Sequence, residues 1–158
     1  MANTQSMCTS FMGELLTATH NFGTAPTRAS SAADTFKAAL YLTTATLNAS
    51  TTVYSATGEV TGTNYTAGGV AVTNANAPTA TNSSTTAGTA YWTPSASITY
   101  TTVTLSTAFD TVLIYNSTQS NKAVSVHTFG SQTVTAGTFT LTMPTNNTTN
   151  ALLRLVTT

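Results

Sequence analysis

Thr111-Val112-Leu113-Ile114-Tyr115 and Thr138-Phe139-Thr140-Leu141-Thr142-Met143 decide how this chain folds. The first run is apolar without a break, as expected of a central strand covered on both faces. In the second, Phe139, Leu141 and Met143 alternate with threonine, the period of a strand with one face turned inward. Working outward from these, Thr35 to Leu42 places Phe36, Ala38, Leu40 and Leu42 on one face and reads as the first core strand. Ile98 to Leu105 alternates with a phase shift near Thr101/Thr102, which predicts a bulge. Val70–Thr73, Ala90–Thr93, Ala123–Phe129, Gln132–Val134 and Ala151–Val156 are shorter candidates. Turn signals at Pro94, Asn116–Lys122, Gly130, Ala136-Gly137 and Pro144 separate the runs. The spacing predicts a mainly β fold: an antiparallel β-sandwich or jelly roll of about eight strands.

The first third differs. From Ser10 to about Thr19, Phe11, Met12, Leu15, Leu16 and Ala18 fall at helical spacing behind a Thr9/Ser10 cap candidate, with Glu14 in the first turns. Gly23 and Pro26 end this segment, which is the one short N-terminal helix expected. Residues 43 to 69 carry four glycines and little periodicity, and read as a long structured connection with Val53, Tyr54, Val60 and Tyr65 as inward anchors. Residues 74 to 86 read as a polar loop. The expected organisation is a helix and arm over 1–33 followed by a β-sandwich domain over 34–158.

At 158 residues there is enough chain for one core. Charged residues make up 5%, against about 25% in ordinary soluble domains. The cations are Arg28, Lys37, Lys122 and Arg154, the anions Glu14, Asp34, Glu59 and Asp110, and the net charge is zero. Roughly a quarter of the residues are threonine, so hydroxyls and amides stand where surface charge usually does. Such a surface suits a protein held at high density in a lattice or kept permanently outside. Four scattered cations build no phosphate-binding patch, which argues against nucleic acid and anionic membranes as partners. Cys8 is the single cysteine, so no intrachain disulfide forms. The start, Met-Ala-Asn-Thr-Gln-Ser, lacks the basic and apolar regions of a secretory signal, and no stretch approaches the ~18 apolar residues of a spanning helix. Synthesis in the cytoplasm without a leader is expected.

Acid–base chemistry needs paired titratable groups. Here four carboxylates, two histidines and one thiol are spread over the whole length. Asp34 and Asp110 each precede a strand candidate, where local capping is the ordinary role. His20 follows the helix, where it complements the dipole. No HxH, HExxH or Cys/His cluster suggests a metal, no GxSxG elbow a nucleophile, and Thr66-Ala67-Gly68-Gly69 lacks the lysine of a phosphate loop. The expectation is a protein without enzymatic activity, metal or cofactor. Tyr91, Trp92, Tyr100 and Tyr115 read as core and rim, with a glycan-binding surface as the other reading.

Asp34-Thr35-Phe36-Lys37-Ala38-Ala39-Leu40-Tyr41, Tyr54-Ser55-Ala56-Thr57-Gly58-Glu59-Val60, Tyr65-Thr66-Ala67-Gly68-Gly69, Leu113-Ile114-Tyr115-Asn116, Phe139-Thr140-Leu141 and Ala151-Leu152-Leu153-Arg154 resemble phrases of a group of small tailed-phage virion proteins. The resemblance covers most of the chain after residue 33, and none of its phrases is a mechanistic motif. It implies a structural role in the virion. Capsid decoration, or cement, proteins of this size sit on the shell as dimers or trimers and bind major capsid protein across capsomer seams. The N-terminal segment, with Phe11, Met12, Leu15, Leu16 and Arg28, is the candidate contact surface; the other reading is that this helix only caps the base of the sandwich. A tail-associated structural or receptor-binding protein is the alternative role, and a receptor binder would present an exposed aromatic patch around Trp92. A small enzyme or host-directed accessory protein is the third.

Overall fold

The computed structural model describes residues 3–16, 19–22, 33–81 and 88–156. Two antiparallel sheets and one short helix make up the fold, in the order β1 (Ser6–Met7), α1 (Thr9–Leu16), β2 (Phe36–Leu42), β3 (Val70–Val72), β4 (Thr79–Thr81), β5 (Thr89–Trp92), β6 (Ile98–Asn116), β7 (Lys122–Leu141) and β8 (Leu153–Val156). The larger sheet has the order β1-β7-β6-β2-β3 and the smaller β4-β5-β8. The mainly β class, the eight strands and the N-terminal helix agree with the sequence pattern.

The strands are divided differently from that pattern. Ile98–Leu105 and Thr111–Tyr115 are parts of one 19-residue strand, β6, and the three candidates from Ala123 onward merge into the 20-residue β7. Gly130 and Ala136-Gly137 are not turns. The ladder absorbs them as bulges, with register jumps at Val103/Leu105 and at Phe109/Thr111. Ala136 adopts φ 46°, and its amide donates to Thr104 Oγ1 at 3.0 Å. The bulge expected at Thr101/Thr102 is present: the register jumps between Tyr100 and Val103, and Thr102 has φ 53°. The total stays at eight because β1 and β4 join, β4 within the stretch read as a polar loop. The helix spans Thr9–Leu16 and Thr19 lies outside it, while residues 17 and 18 of the predicted segment are outside the described residues. Ser10 does not cap it, since its buried hydroxyl has no hydrogen-bond partner.

Burial along the two long strands changes half-way. Residues 111 to 116 of β6 are all buried, as are 123 to 126 of β7, so this end of the hairpin is covered on both faces. Beyond it, Val103, Leu105 and Phe109 face inward while Ser106 and Thr107 are exposed. Phe36 of β2 and Trp92 of β5 bring the two sheets together, with Phe22 stacked on Phe36 at 4.4 Å and 4.7 Å from Trp92. Each such ring contributes about 1.5–3 kcal/mol by leaving water.

The connection from 43 to 69 is pinned to the large sheet, as expected, with Val60 buried and Tyr54 and Tyr65 packed on the core. Val53 is not an inward anchor; it is 46% exposed, while its backbone bridges to Lys122 at the start of β7. Gly69 (φ 70°) lets this connection press against β2, where an added Cβ would lie 1.7 Å from the Ala38 carbonyl oxygen.

Candidate functional site

The few charges of this chain are used mainly inside it. Two carboxylates are buried, Asp34 just before β2 and Glu59 in the long connection, and each organises a separate polar centre.

At the first centre, Asp34 Oδ2 accepts from the Asn21 amide and from Asn116 Nδ2, both at 2.8 Å, and Oδ1 accepts from Gln119 Nε2 at 3.1 Å. Asn116, wholly buried at the end of β6, turns its Oδ1 to the amides of Thr118 and Gln119 and so shapes the β6–β7 turn. Its Nδ2 also lies 3.0 Å from His20 Nδ1. The far nitrogen of His20 meets Glu14 Oε2 at 2.7 Å, and Glu14 Oε1 accepts from Lys122 Nζ at 2.5 Å. Burial pushes His20 below the ordinary histidine value, against the pull of Glu14. Burial pulls Glu14 upward, but Lys122 and His20 together hold its carboxyl below the usual range. Neither aspartate is the local cap that its position before a strand suggested. Asp34 bonds across the fold, and Asp110 lies within β6, accepting from Asn3 Nδ2 at 3.0 Å and from the Thr111 hydroxyl at 2.7 Å. His20 likewise serves this centre rather than the helix dipole.

At the second centre, Glu59 Oε1 accepts from the Gly68 amide (2.7 Å) and the Tyr65 hydroxyl (2.8 Å), and Oε2 from the Tyr54 hydroxyl (2.5 Å). The Tyr65 oxygen itself accepts from the Leu40 amide at 2.9 Å, and Tyr115 donates to the Gly68 carbonyl at 2.8 Å. Burial and then Glu59 raise the pKa of Tyr54 and Tyr65 far above that of an ordinary phenol. These hydroxyls stay protonated and act as fixed donors.

Each carboxylate thus accepts three hydrogen bonds from the described residues. Among the described residues, His127 Nε2 lies 2.9 Å from Ser125 Oγ. Ser125 is only 1% exposed, and burial lowers His127 to about 4. Burial also pushes the Cys8 thiol up to about 11, which makes it a poor nucleophile. Among the described residues no group of three or more His, Cys, Asp or Glu side chains is placed to hold a metal ion.

The candidate contact residues divide. Phe11 is buried, edge-on to Phe22 and His20, whereas Met12 is 47% exposed. Leu15 is half-buried and Leu16 closes the helix; Arg28 lies outside the described residues. Phe11 and Leu15 join Phe22, Tyr91, Trp92 and Leu155 in lining an apolar groove of about 90 Å³ between α1 and the small sheet. Trp92 is 3% exposed and donates to the Asn76 carbonyl at 3.0 Å, and Tyr100 and Tyr115 are equally buried. Among the described residues, Trp92, Tyr100 and Tyr115 therefore present no exposed aromatic patch. The long-range Asp34 centre gave no sign in the sequence; the Glu59 centre did, in the tyrosines five residues before and six after it.

In comparison with known proteins, the chain matches no family model, no curated protein and no solved structure.

Proposed function

We propose that this protein is a structural subunit of an assembled particle, a tailed-phage virion on the resemblance given above. In that particle it decorates and stabilises the capsid by binding major capsid protein across capsomer seams. The observation that carries the subunit reading is the outer edge of β7. From Thr128 to Leu141 it contains no charged residue and no proline, and beyond Val126 no strand pairs with that edge among the described residues. Edges left to water are ordinarily guarded by charge, proline or a covering element, so an edge built of threonine, valine and phenylalanine suits a protein with permanent neighbours. Its bulges at Gly130 and Ala136 blunt the edge in part. The surface agrees: of seven charged residues among the described ones, Asp34 and Glu59 are buried, Glu14, Lys37, Asp110 and Lys122 are half-buried and Arg154 is exposed. Contacts would then be apolar and hydrogen-bonded, with Met12, Leu155 and Val156 as exposed anchors.

Cryo-electron microscopy of the purified particle tests this reading. Copies of the chain at capsomer seams in fixed stoichiometry are expected. Copies confined to the tail would replace it with the tail-associated role, and absence from the particle would overturn it.

A further inference from the structure

The hydrogen bonds around Asn116 determine which proton His20 carries. Asn116 Oδ1 accepts from two backbone amides, Thr118 and Gln119, at 3.1 and 3.2 Å, and a backbone N–H cannot reverse its role. The amide orientation is therefore settled, and Nδ2 is the atom that faces both Asp34 Oδ2 and His20 Nδ1. An amide NH₂ donates only, so His20 Nδ1 must accept and carries no proton. The single proton of the ring is on Nε2, donated to Glu14 at 2.7 Å. A second proton would set N–H against N–H at 3.0 Å. Turning the Asn116 amide to relieve this would oppose its NH₂ to the Thr118 and Gln119 amides and its oxygen to Asp34.

We propose that His20 is an acid-released latch: its neutral ring docks the N-terminal segment, β1, α1 and residues 19–22, against the β6–β7 turn, and its protonation frees that segment from the sandwich. The groups facing the ring are Glu14 from α1, Asp34 from the approach to β2, Asn116 from β6 and Lys122 from β7, with Phe11, Phe22 and Phe36 around it. Glu14 and Asp34 favour the charged ring; burial and the Asn116 donor oppose it and prevail. Glu14 stays ionised in the same range, since its carboxyl is held below its ordinary value, so the histidine is the group that switches. The rest of the docking is spread over many contacts. β1 pairs with β7 over two residues, and backbone bonds join Thr4 to Leu47, Cys8 to Val124, Thr9 to Ala49 and Asp34 to Asn21. Asn3 bonds to Leu42, Leu47 and Asp110, and Phe11 and Phe22 are buried. Loss of the His20 bonds must outweigh these for the segment to leave. Release takes up one proton, so the docked-to-free ratio falls by up to about tenfold per pH unit below the ordinary histidine value of 6.5.

Cys8 reports the event, because it is fully buried between β1 and α1. Its labelling by 4,4′-dithiodipyridine, divided by that of glutathione at each pH, should rise about tenfold or more between pH 7 and pH 5. Trp92 emission, through its contact with Phe22, should change in the same range while far-ultraviolet circular dichroism of the strands stays. In His20→Gln, whose amide both accepts from Asn116 and donates to Glu14 without titrating, labelling should stay flat; His127→Gln should keep the rise. Nitrogen-15 NMR of the wild-type ring at pH 7.5 reads the tautomer directly and needs no variant. A proton on Nδ1, labelling indifferent to pH, or an acid response surviving in His20→Gln would each overturn the latch.

Discussion

Asp34 and Glu59 are buried to a similar degree and each accepts three hydrogen bonds from the described residues, yet they join different parts of the chain. The partners of Glu59 lie five, six and nine residues away. Those of Asp34 lie 13, 82 and 85 residues away. Glu59 folds one connection onto itself and then onto the sheet; Asp34 ties the N-terminal segment, the start of β2 and the β6–β7 turn into one knot. Two donors at Glu59 are hydroxyls, which can turn to other acceptors or to water. Those at Asp34 are N–H groups, which cannot exchange roles. The same charge therefore stiffens a local turn in one place and closes the fold in the other.

The largest effect is expected where the Glu59 connection meets β2. Gly69→Ala would place a methyl within covalent distance of the Ala38 carbonyl at a positive φ, so a loss of more than ~4 kcal/mol, or failure to fold, should appear in urea unfolding. A soluble Gly69→Ala protein with wild-type stability would mean that this connection is not pressed against β2. Next comes Asn116→Ala, which takes one donor each from Asp34 and His20, leaves two turn amides without their acceptor and should cost about 3 kcal/mol. Combined with Asp34→Ala, the loss should fall well short of the sum of the two single losses, because both remove the same knot. Additive losses would break the contrast between the two centres.

Acid should act next, and from outside both centres as well as within one. His127 titrates near 4 in the folded protein against 6.5 unfolded, so between those values the unfolded chain binds the extra proton. Stability is then complete above pH 6.5 and declines as pH falls, by at most about 1.4 kcal/mol per pH unit. His127→Gln should flatten that part of the profile in thermal melts at pH 4.5–7.5. The smallest effect is expected for Tyr54→Phe, about 1 kcal/mol, since Glu59 retains Tyr65 and Gly68. A loss as large as that of Asn116→Ala would show that the Glu59 centre closes the fold after all.

The apolar run at 111–115, the alternation at 36–42 and at 138–143, and the scarcity of charge made the strands, the inward faces and the uncharged surface legible from residue order. Period and composition act within a few residues, so they survive without the fold. The merging of strands into β6 and β7 was not legible, because Gly130 and Ala136-Gly137 look alike as turns or as bulges until a partner strand supplies the ladder. The burial of Trp92 agrees with its reading as core and rim, but that of Phe11 was not legible, since it depends on the rings of His20 and Phe22 beside it. The Asp34–Asn116–His20 knot belongs wholly to the tertiary structure. A hydrogen bond holds over about 3 Å and only in the right direction, and residues 82 and 96 positions apart reach that geometry only after the sheet has placed them.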